Sequence, residues 1–170
     1  ALAGLELVGR ARARRVRRRF EVAGLVQGVG FRPFVYVTAT ELQLSGLVRN
    51  DSNGLVAEVE GDPDQVAAFG RRLRDDAPPL AVVESVSAAE VDLVGGTGFT
   101  IVESQHTEGG RTLASPDVAT CDDCLDELGD DHDRWYRHPF ITCTNCGPRF
   151  TIIERLPYDR TATTMADYEM

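Results

Sequence analysis

The chain has 170 residues, 42% of them hydrophobic and 26% charged, which excludes an intrinsically disordered protein and a collagen-like repeat. Its four cysteines are too few for a disulfide-dense mini-protein, and no uncharged apolar run approaches the length of a membrane span. With a formal net charge of −9, the sequence predicts a globular protein that is not exported and binds no membrane.

The charge is distributed unevenly along the sequence. All 18 basic residues are arginines, and seven of them lie between Arg10 and Arg19. Residues 20–170 carry 11 basic and 26 acidic side chains, a net charge of −15 that repels polyanions. We therefore expect no nucleic-acid binding, and we expect residues 1–16 to form an arginine-rich, poorly ordered leader.

The first regular elements surround a glycine-rich loop. Alternating apolar residues predict a strand over about residues 17–24, and three glycines within 24–30 mark the loop that follows. Apolar residues at helical spacing after the loop, with Pro33 in the first turn, predict a helix over 31–45.

The remaining elements up to residue 102 complete a βαββαβ order. Two short apolar segments flank a polar turn, and a helix start follows at Asp62, where Gln65 completes a capping-box pattern. Pro78 and Pro79 end this helix, and two more strand candidates follow it. The predicted strands of this part are Leu47–Asn50, Leu55–Glu60, Val82–Val91 and Phe99–Val102. This order predicts an α+β protein with a ferredoxin-like βαββαβ sandwich, in which two helices cover one face of the sheet.

The loop between the first strand and the first helix has the composition of an anion site. Small side chains let consecutive backbone N–H groups approach an anion, and the N-terminus of the following helix adds positive potential. Arg32 stands at the start of that helix, and no carboxylate between Glu21 and Glu41 opposes its guanidinium. A structural turn with an incidental arginine is the alternative, and the spacing matches neither a P-loop nor a dinucleotide fingerprint.

Two Cys-x2-Cys pairs separated by eighteen residues point to a metal. The four cysteines are Cys121, Cys124, Cys143 and Cys146. This spacing is typical of a structural, tetrahedral Zn²⁺ site, because each short pair brings two thiolates together from one turn. A reducing cytoplasm suits such ligands, which must stay reduced. Adventitious pairs or redox dithiols are the alternative, and a four-sulfur site needs neither His132 nor His138.

The predicted organisation has four parts. The arginine-rich leader at 1–16 precedes the sandwich domain at 17–105, which is followed by a linker at 106–115. Residues 116–170 hold the cysteine pairs but too little apolar material for a large independent core. A bound metal is expected to supply the stability that this region lacks.

Three segments of the sandwich domain resemble the signature of acylphosphatases. GLVQGVGFR at Gly24–Arg32 is followed by GLVRN at Gly46–Asn50 and GLV at Gly54–Val56. The resemblance implies the acylphosphatase-like form of the sandwich, with an arginine and the loop amides holding a phosphate and an asparagine orienting the attacking water. The implied catalytic residues are Arg32 and Asn50, and the implied substrate-binding residues are Leu25, Val26, Gln27, Gly28, Val29 and Gly30.

The second half resembles the hydrogenase maturation carbamoyltransferases of HypF type. The matching segments are SPDVATC at Ser115–Cys121 and YRHPFITCTNCGPRF at Tyr136–Phe150. The resemblance implies an enzyme whose acylphosphatase-like domain hydrolyses carbamoyl phosphate to carbamate and phosphate. It also implies that this sequence stops before a second zinc finger.

The same resemblance implies partners for domains outside this sequence. In the family, a nucleotide-binding adenylation domain and a transfer domain follow the fingers, and the carbamoyl group passes to a cysteine of a partner. ATP and a HypE-type acceptor protein are therefore expected only for the full-length enzyme. The alternative from a different class is a non-catalytic, zinc-bearing module that binds anions or a partner without turnover.

Overall fold

The computed structural model describes residues 15–105, 113–143, 145–148 and 150–168. Most of the predicted leader at 1–16 and of the predicted linker at 106–115 therefore lies outside the described residues. Within the described part, the first strand begins at Val16, one residue earlier than predicted, and Arg15 forms an ion pair with Glu60.

Seven elements between residues 16 and 101 form the predicted sandwich. They are, in chain order, β1 Val16–Leu25, α1 Phe31–Glu41, β2 Ser45–Asp51, β3 Gly54–Gly61, α2 Pro63–Asp75, β4 Val82–Glu90 and β5 Phe99–Ile101. The strands form one sheet in the order β4-β1-β3-β2-β5. β1 pairs antiparallel with β3 and β4, β2 pairs antiparallel with β3, and β5 adds a parallel edge to β2. The ferredoxin-like fold predicted from the element order is confirmed.

The core lies between the sheet and the two helices. Phe20 on β1 packs edge to face against Phe69 on α2, with 5.4 Å between the ring centroids. Val35 from α1 and Leu73 from α2 are fully buried in the same cluster. Burial of one such side chain contributes roughly 1.5–3 kcal/mol relative to exposure. This packing fixes both ends of the loop that joins β1 to α1.

α1 is four residues shorter than predicted. It ends at Glu41 rather than at residue 45, because Gln43 adopts a left-handed φ of 54°. The amide of Leu44 donates to the carbonyl oxygen of Ala39 at 2.9 Å, which is the long bond of a Schellman motif. Apolar spacing alone therefore overestimates the length of the helix, since Gln43, the polar residue at which it stops, lies inside the apolar pattern.

The predicted start of the second helix is confirmed. Asp62 caps α2, because its Oδ1 accepts hydrogen bonds from the amides of Asp64 at 2.9 Å and Gln65 at 3.4 Å. Pro63 occupies the first helical position, where no amide hydrogen is needed.

The region after residue 113 has little regular structure. α3 spans Asp122–Gly129, and two short 3-10 helices span Phe150–Ile152 and Arg160–Ala162. An antiparallel bridge between Ile153 and Thr163 joins these two turns. A search of the described residues finds no helix with the length and apolar character needed to cross a membrane.

Candidate active site and metal centre

The glycine-rich loop runs from the end of β1 to the start of α1. Val26 and Val29 anchor it, since both side chains are buried in the core. Gly28 and Gly30 have left-handed φ angles of 72° and 75°, which let the chain turn between the anchored residues. Within the described part of the chain, the amides of residues 27–30 have no hydrogen-bond acceptor. Such amides, at the N-terminus of a helix, suit an anion.

Gln27 holds the loop against the turn between β2 and β3. Its side chain is buried, and Nε2 donates to the carbonyl oxygens of Asp51 at 2.8 Å and Gly54 at 2.6 Å. Its Oε1 accepts a hydrogen bond from the amide of Tyr158 at 2.8 Å. The side chain of a residue predicted only as part of the loop thus cross-links three segments of the protein.

The structure brings the two predicted catalytic side chains together. Arg32 extends from the first turn of α1, and Asn50 lies near the end of β2. Both donate to the carbonyl oxygen of Tyr158, Arg32 through Nη2 at 3.1 Å and Asn50 through Nδ2 at 2.9 Å. Arg32 also pairs through Nη1 with Oδ1 of Asp159 at 2.5 Å.

Asn50 keeps one polar atom available. The residue is 1% exposed, and its Oδ1 has no hydrogen-bond partner among the described residues. Because Nδ2 is engaged by Tyr158, the amide is held in one orientation and its oxygen remains an acceptor. A buried acceptor without a partner costs roughly 1–3 kcal/mol, which a donating water molecule would offset. Asn50 is therefore suited to binding a water molecule.

Sequence reasoning does not predict Tyr158 and Asp159 as site residues. The local sequence indicates an unopposed arginine, but the fold brings Asp159 to Arg32 across 127 positions of the chain. The amide of Ser104 donates to Oδ2 of the same carboxylate at 3.1 Å. No motif marks these contacts, because they arise only when distant segments pack together.

The Asp159 carboxylate is ionised at neutral pH. Burial raises the pKa of this carboxyl, but hydrogen bonds from Ser104 and Arg32 together with the positive charge of Arg32 outweigh burial. The pKa therefore lies below the ordinary value for an aspartate. A negative charge thus lies directly against the guanidinium that the sequence assigns to phosphate binding.

The second cysteine pair packs directly on the glycine-rich loop. Gly147 follows Cys146 with a left-handed φ of 64°, and a Cβ at this position would lie 1.9 Å from the carbonyl oxygen of Gly28. A Cβ on Gly28 would in turn lie 3.3 Å from Cγ of Pro148. Only glycine fits at position 147, and the cysteine turn supports the loop through this contact.

The four cysteines converge into one cluster. Their Sγ atoms lie within 4.8 Å of one another, and all four are free of disulfide bonds. The distances are 3.4 Å for Cys121–Cys143, 3.8 Å for Cys124–Cys146 and 3.9 Å for Cys143–Cys146. They bracket the edge of about 3.8 Å that a tetrahedron with metal–sulfur bonds of about 2.3 Å has. The donor set therefore fits a four-sulfur metal site.

The two histidines between the cysteine pairs lie elsewhere. His132 is exposed beside Asp130 and Asp131. His138 packs its ring against Trp135, with 5.1 Å between the ring centroids. The sulfur cluster is thus complete without them, as the spacing of the cysteines predicts.

The thiols of the cluster differ in acidity. Burial is the largest cause that raises the pKa of the Cys124 thiol. Burial also raises the pKa of Cys146, but hydrogen bonds from the backbone of Cys143 and from the Thr142 side chain, among others, outweigh it and lower that pKa to about 6. A thiolate, the form that binds metal, is thus available at neutral pH.

Comparisons with known proteins agree with the fold and with the four-cysteine finger. The sequence matches the acylphosphatase family over residues 18–101 and the HypF finger family over residues 120–153. It is 46% identical to an acylphosphatase of Moorella thermoacetica over 90 residues, which cover 96% of that protein and 52% of this chain. The chain belongs to the acylphosphatase family and carries a HypF finger.

Larger relatives align with both the acylphosphatase domain and the finger of this chain. Carbamoyltransferase HypF2 of Cupriavidus necator is 49% identical over 160 residues, which cover 91% of this chain and 20% of that protein. A crystal structure of full-length HypF in the phosphate- and nucleotide-bound form matches with a TM-score of 0.87 and 46% identity, over 92% of this chain and 21% of that one. The chain thus spans about a fifth of the length of these relatives.

The predicted acylphosphatase-like domain and HypF-type finger are confirmed. The chain also belongs to a family of enzymes, as predicted. The roles of Arg32, Asn50 and the loop residues 25–30 stay predictions, as do the boundaries of the four predicted parts. In the structure, Arg32 and Asn50 both donate to the carbonyl oxygen of Tyr158, whose amide is bound by Gln27 of the loop.

Proposed function

We propose that this acylphosphatase domain hydrolyses carbamoyl phosphate to carbamate and inorganic phosphate. The convergence of Arg32 and Asn50 on the carbonyl oxygen of Tyr158 carries the proposal. The loop beside them has amides without acceptors among the residues described. The similarity to HypF carbamoyltransferases supports carbamoyl phosphate as the substrate.

In this proposal the phosphate group is bound by Arg32 and by the amides of loop residues 27–30, since the amide of Val26 already donates to the carbonyl oxygen of Gly24 at 3.1 Å. The guanidinium has five N–H donors, and its contacts with Tyr158 and Asp159 use two of them, so donors remain for phosphate oxygens. Donors that are in place before the reaction stabilise the negative charge that develops in the transition state.

Asn50 positions the attacking water. Tyr158 fixes Nδ2, and Oδ1 accepts a hydrogen bond from the water, so that a bimolecular attack becomes nearly unimolecular. Asp159 is a poor general base, because its pKa is lowered. A phosphate oxygen of the substrate therefore accepts the proton.

The four-cysteine cluster holds a structural Zn²⁺ ion in this proposal. The four sulfurs complete its coordination, and the ion supplies stability to the turns rather than chemistry to the substrate. Thiolate ligands persist in a reducing compartment, which fits a cytoplasmic protein.

The remaining steps belong to the full-length protein. There, we propose, carbamate passes to an ATP-dependent adenylation domain and then to a HypE-type acceptor protein during [NiFe]-hydrogenase maturation. The relatives that are five times as long as this chain support such additional domains. Neither a membrane nor a nucleic acid is a partner in this scheme.

The ion pair between Arg32 and Asp159 favours a second candidate function. A guanidinium that is partly neutralised by a carboxylate suits a module that binds anions or a partner without turnover. Hydrolysis of carbamoyl phosphate separates the two functions.

We expect the protein to release phosphate from carbamoyl phosphate and Arg32→Ala to lose on the order of 100- to 1,000-fold in rate, because one preorganised donor is removed. A colorimetric phosphate assay measures this. Arg71→Ala removes an exposed guanidinium from α2 and serves as the matched control. No phosphate release by the unmodified protein, or a near-normal rate for Arg32→Ala, would contradict the proposed hydrolysis.

A further inference from the structure

Residues 158 and 159 form one wall of the candidate active site. They lie in the part of the chain after residue 113, which we call the finger region and which includes the HypF finger at 120–153. Tyr158 is tied to the loop through Gln27 and to both predicted catalytic side chains through its carbonyl oxygen. Asp159 is tied to Arg32 and to the amide of Ser104, which follows β5. The acidic side chain is only 26% exposed. The wall is therefore held in place by four parts of the acylphosphatase domain, namely the loop, α1, β2 and the segment that follows β5.

The two residues of this wall differ in the acceptors they have left. A carbonyl oxygen has two lone pairs, and that of Tyr158 already receives hydrogen bonds from Arg32 and Asn50. A carboxylate accepts about four hydrogen bonds, and among the described residues that of Asp159 receives one on each oxygen. Asp159 therefore keeps acceptor capacity beside the guanidinium.

A carboxylate at this position disfavours most acyl phosphates. Its negative charge repels the phosphate dianion of every acyl phosphate alike, so selection depends on the acyl group. An acyl group without donors leaves the free lone pairs of the carboxylate desolvated and unpaired. An acyl group that carries an N–H donor instead makes a charge-assisted hydrogen bond to it. Carbamoyl phosphate has such an amino group, whereas acetyl phosphate presents a methyl group at the same place.

We propose that Asp159 is the specificity-determining residue of the site and accepts a hydrogen bond from the amino group of the carbamoyl moiety. This inference rests on the proposed hydrolysis of carbamoyl phosphate. It assigns to the finger region a part in substrate choice, since the selecting residue comes from there and the phosphate-binding residues come from the loop and α1. Discrimination arises from a hydrogen bond to one substrate and from carboxylate lone pairs that are left without a donor beside the other.

The test compares kcat/KM for carbamoyl phosphate and acetyl phosphate by phosphate release. We expect Asp159→Ala to lower the ratio of kcat/KM for carbamoyl phosphate to kcat/KM for acetyl phosphate at least about tenfold. This is the effect that the loss of a hydrogen bond to a charged group gives. Most of this change should come from a lower kcat/KM for carbamoyl phosphate. The control Glu154→Ala removes an exposed carboxylate from the same region, and the ratio should not change.

Because Asp159 also contacts Arg32, its replacement by alanine could displace the guanidinium, and a second variant controls for this effect. Asp159→Asn keeps an oxygen for the guanidinium but can turn an N–H donor toward the substrate, so the ratio should fall again. An unchanged ratio in both variants overturns the role of Asp159 and leaves the hydrolysis intact. Absence of turnover of either substrate by the unmodified protein overturns the hydrolysis itself, and the role of Asp159 with it.

Discussion

In Asn50, the hydrogen bond made by Nδ2 fixes the side-chain amide, and this determines where Oδ1 can accept a hydrogen bond. Its Nδ2 is bound to the Tyr158 carbonyl oxygen, and its Oδ1 is left as a buried acceptor. A neighbouring asparagine, Asn53, is exposed at the β2–β3 turn and has no comparable surroundings. The two residues therefore form a matched pair for mutation.

Replacing Asn50 by alanine should lower kcat by on the order of 100- to 1,000-fold while the affinity for inorganic phosphate is largely kept, since the loop and Arg32 bind the anion. Steady-state kinetics with carbamoyl phosphate and calorimetric titration with phosphate measure the two quantities. Asn53→Ala should change neither. Equal losses of kcat and phosphate affinity in Asn50→Ala would show that the residue binds the anion rather than the water.

At this scale the sequence predicts residues that belong to local patterns. Arg32 and Asn50 belong to short segments that resemble the acylphosphatase signature as a whole. In the structure both side chains donate to the carbonyl oxygen of Tyr158. Asp159 has no such segment around it, because its partner lies 127 positions away. Contacts of this kind depend on packing, which spacing and composition do not encode.

Among the elements, the turn of the second cysteine pair packs so closely on the β1–α1 loop that the contact leaves no space for an additional side-chain atom. Gly147 has a left-handed φ and stands against the carbonyl oxygen of Gly28. Any side chain at position 147 must displace backbone, either in the cysteine turn or in the loop. A shift of the loop disturbs the amides that the proposed function uses.

Gly147→Ala is therefore expected to destabilise the protein by about 1–3 kcal/mol through backbone strain and to weaken phosphate binding as the loop moves. Urea unfolding and phosphate titration measure these effects. Gly129→Ala adds a methyl group where no atom lies within 4 Å and should leave phosphate affinity unchanged. Wild-type phosphate affinity in Gly147→Ala would show that the turn and the loop are independent.

The order of elements was predictable, and their limits less so. Glycines, prolines and the Asp62 cap mark where elements begin, and the structure confirms the βαββαβ order and the cap. The end of α1 at Glu41 escaped prediction, because a Schellman motif formed by Gln43 and Leu44 interrupts a continuous apolar pattern. Termination by a non-glycine residue in the left-handed region leaves little trace in sequence.

For the molecule as a whole, the finger region and the sandwich contact each other at the candidate active site. The cysteine cluster holds the turn that contacts Gly28, and the segment beyond it supplies Tyr158 and Asp159. Sequence patterns predict the metal ligands and the sandwich separately. They do not predict that the two meet, because no pattern describes an interface between them.

Removing the metal should therefore affect the anion site as well as stability. Chelation under reducing conditions is expected to lower the melting temperature and to raise the Kd for inorganic phosphate about tenfold, the equivalent of about one lost hydrogen bond. Elemental analysis before treatment should find one zinc ion per chain. Restoration by added zinc is the control, and unchanged melting and phosphate affinity after complete removal would contradict the coupling.

The position of Asp159 late in the chain has a consequence for biosynthesis. A ribosome releases the sandwich before residues 158 and 159, and N-terminal domains generally fold first during translation. Under the proposed roles of the loop and Asp159, the nascent sandwich would bind phosphate compounds without selectivity until the later segment docks. Translation would then separate in time the binding of an anion from the selection among substrates.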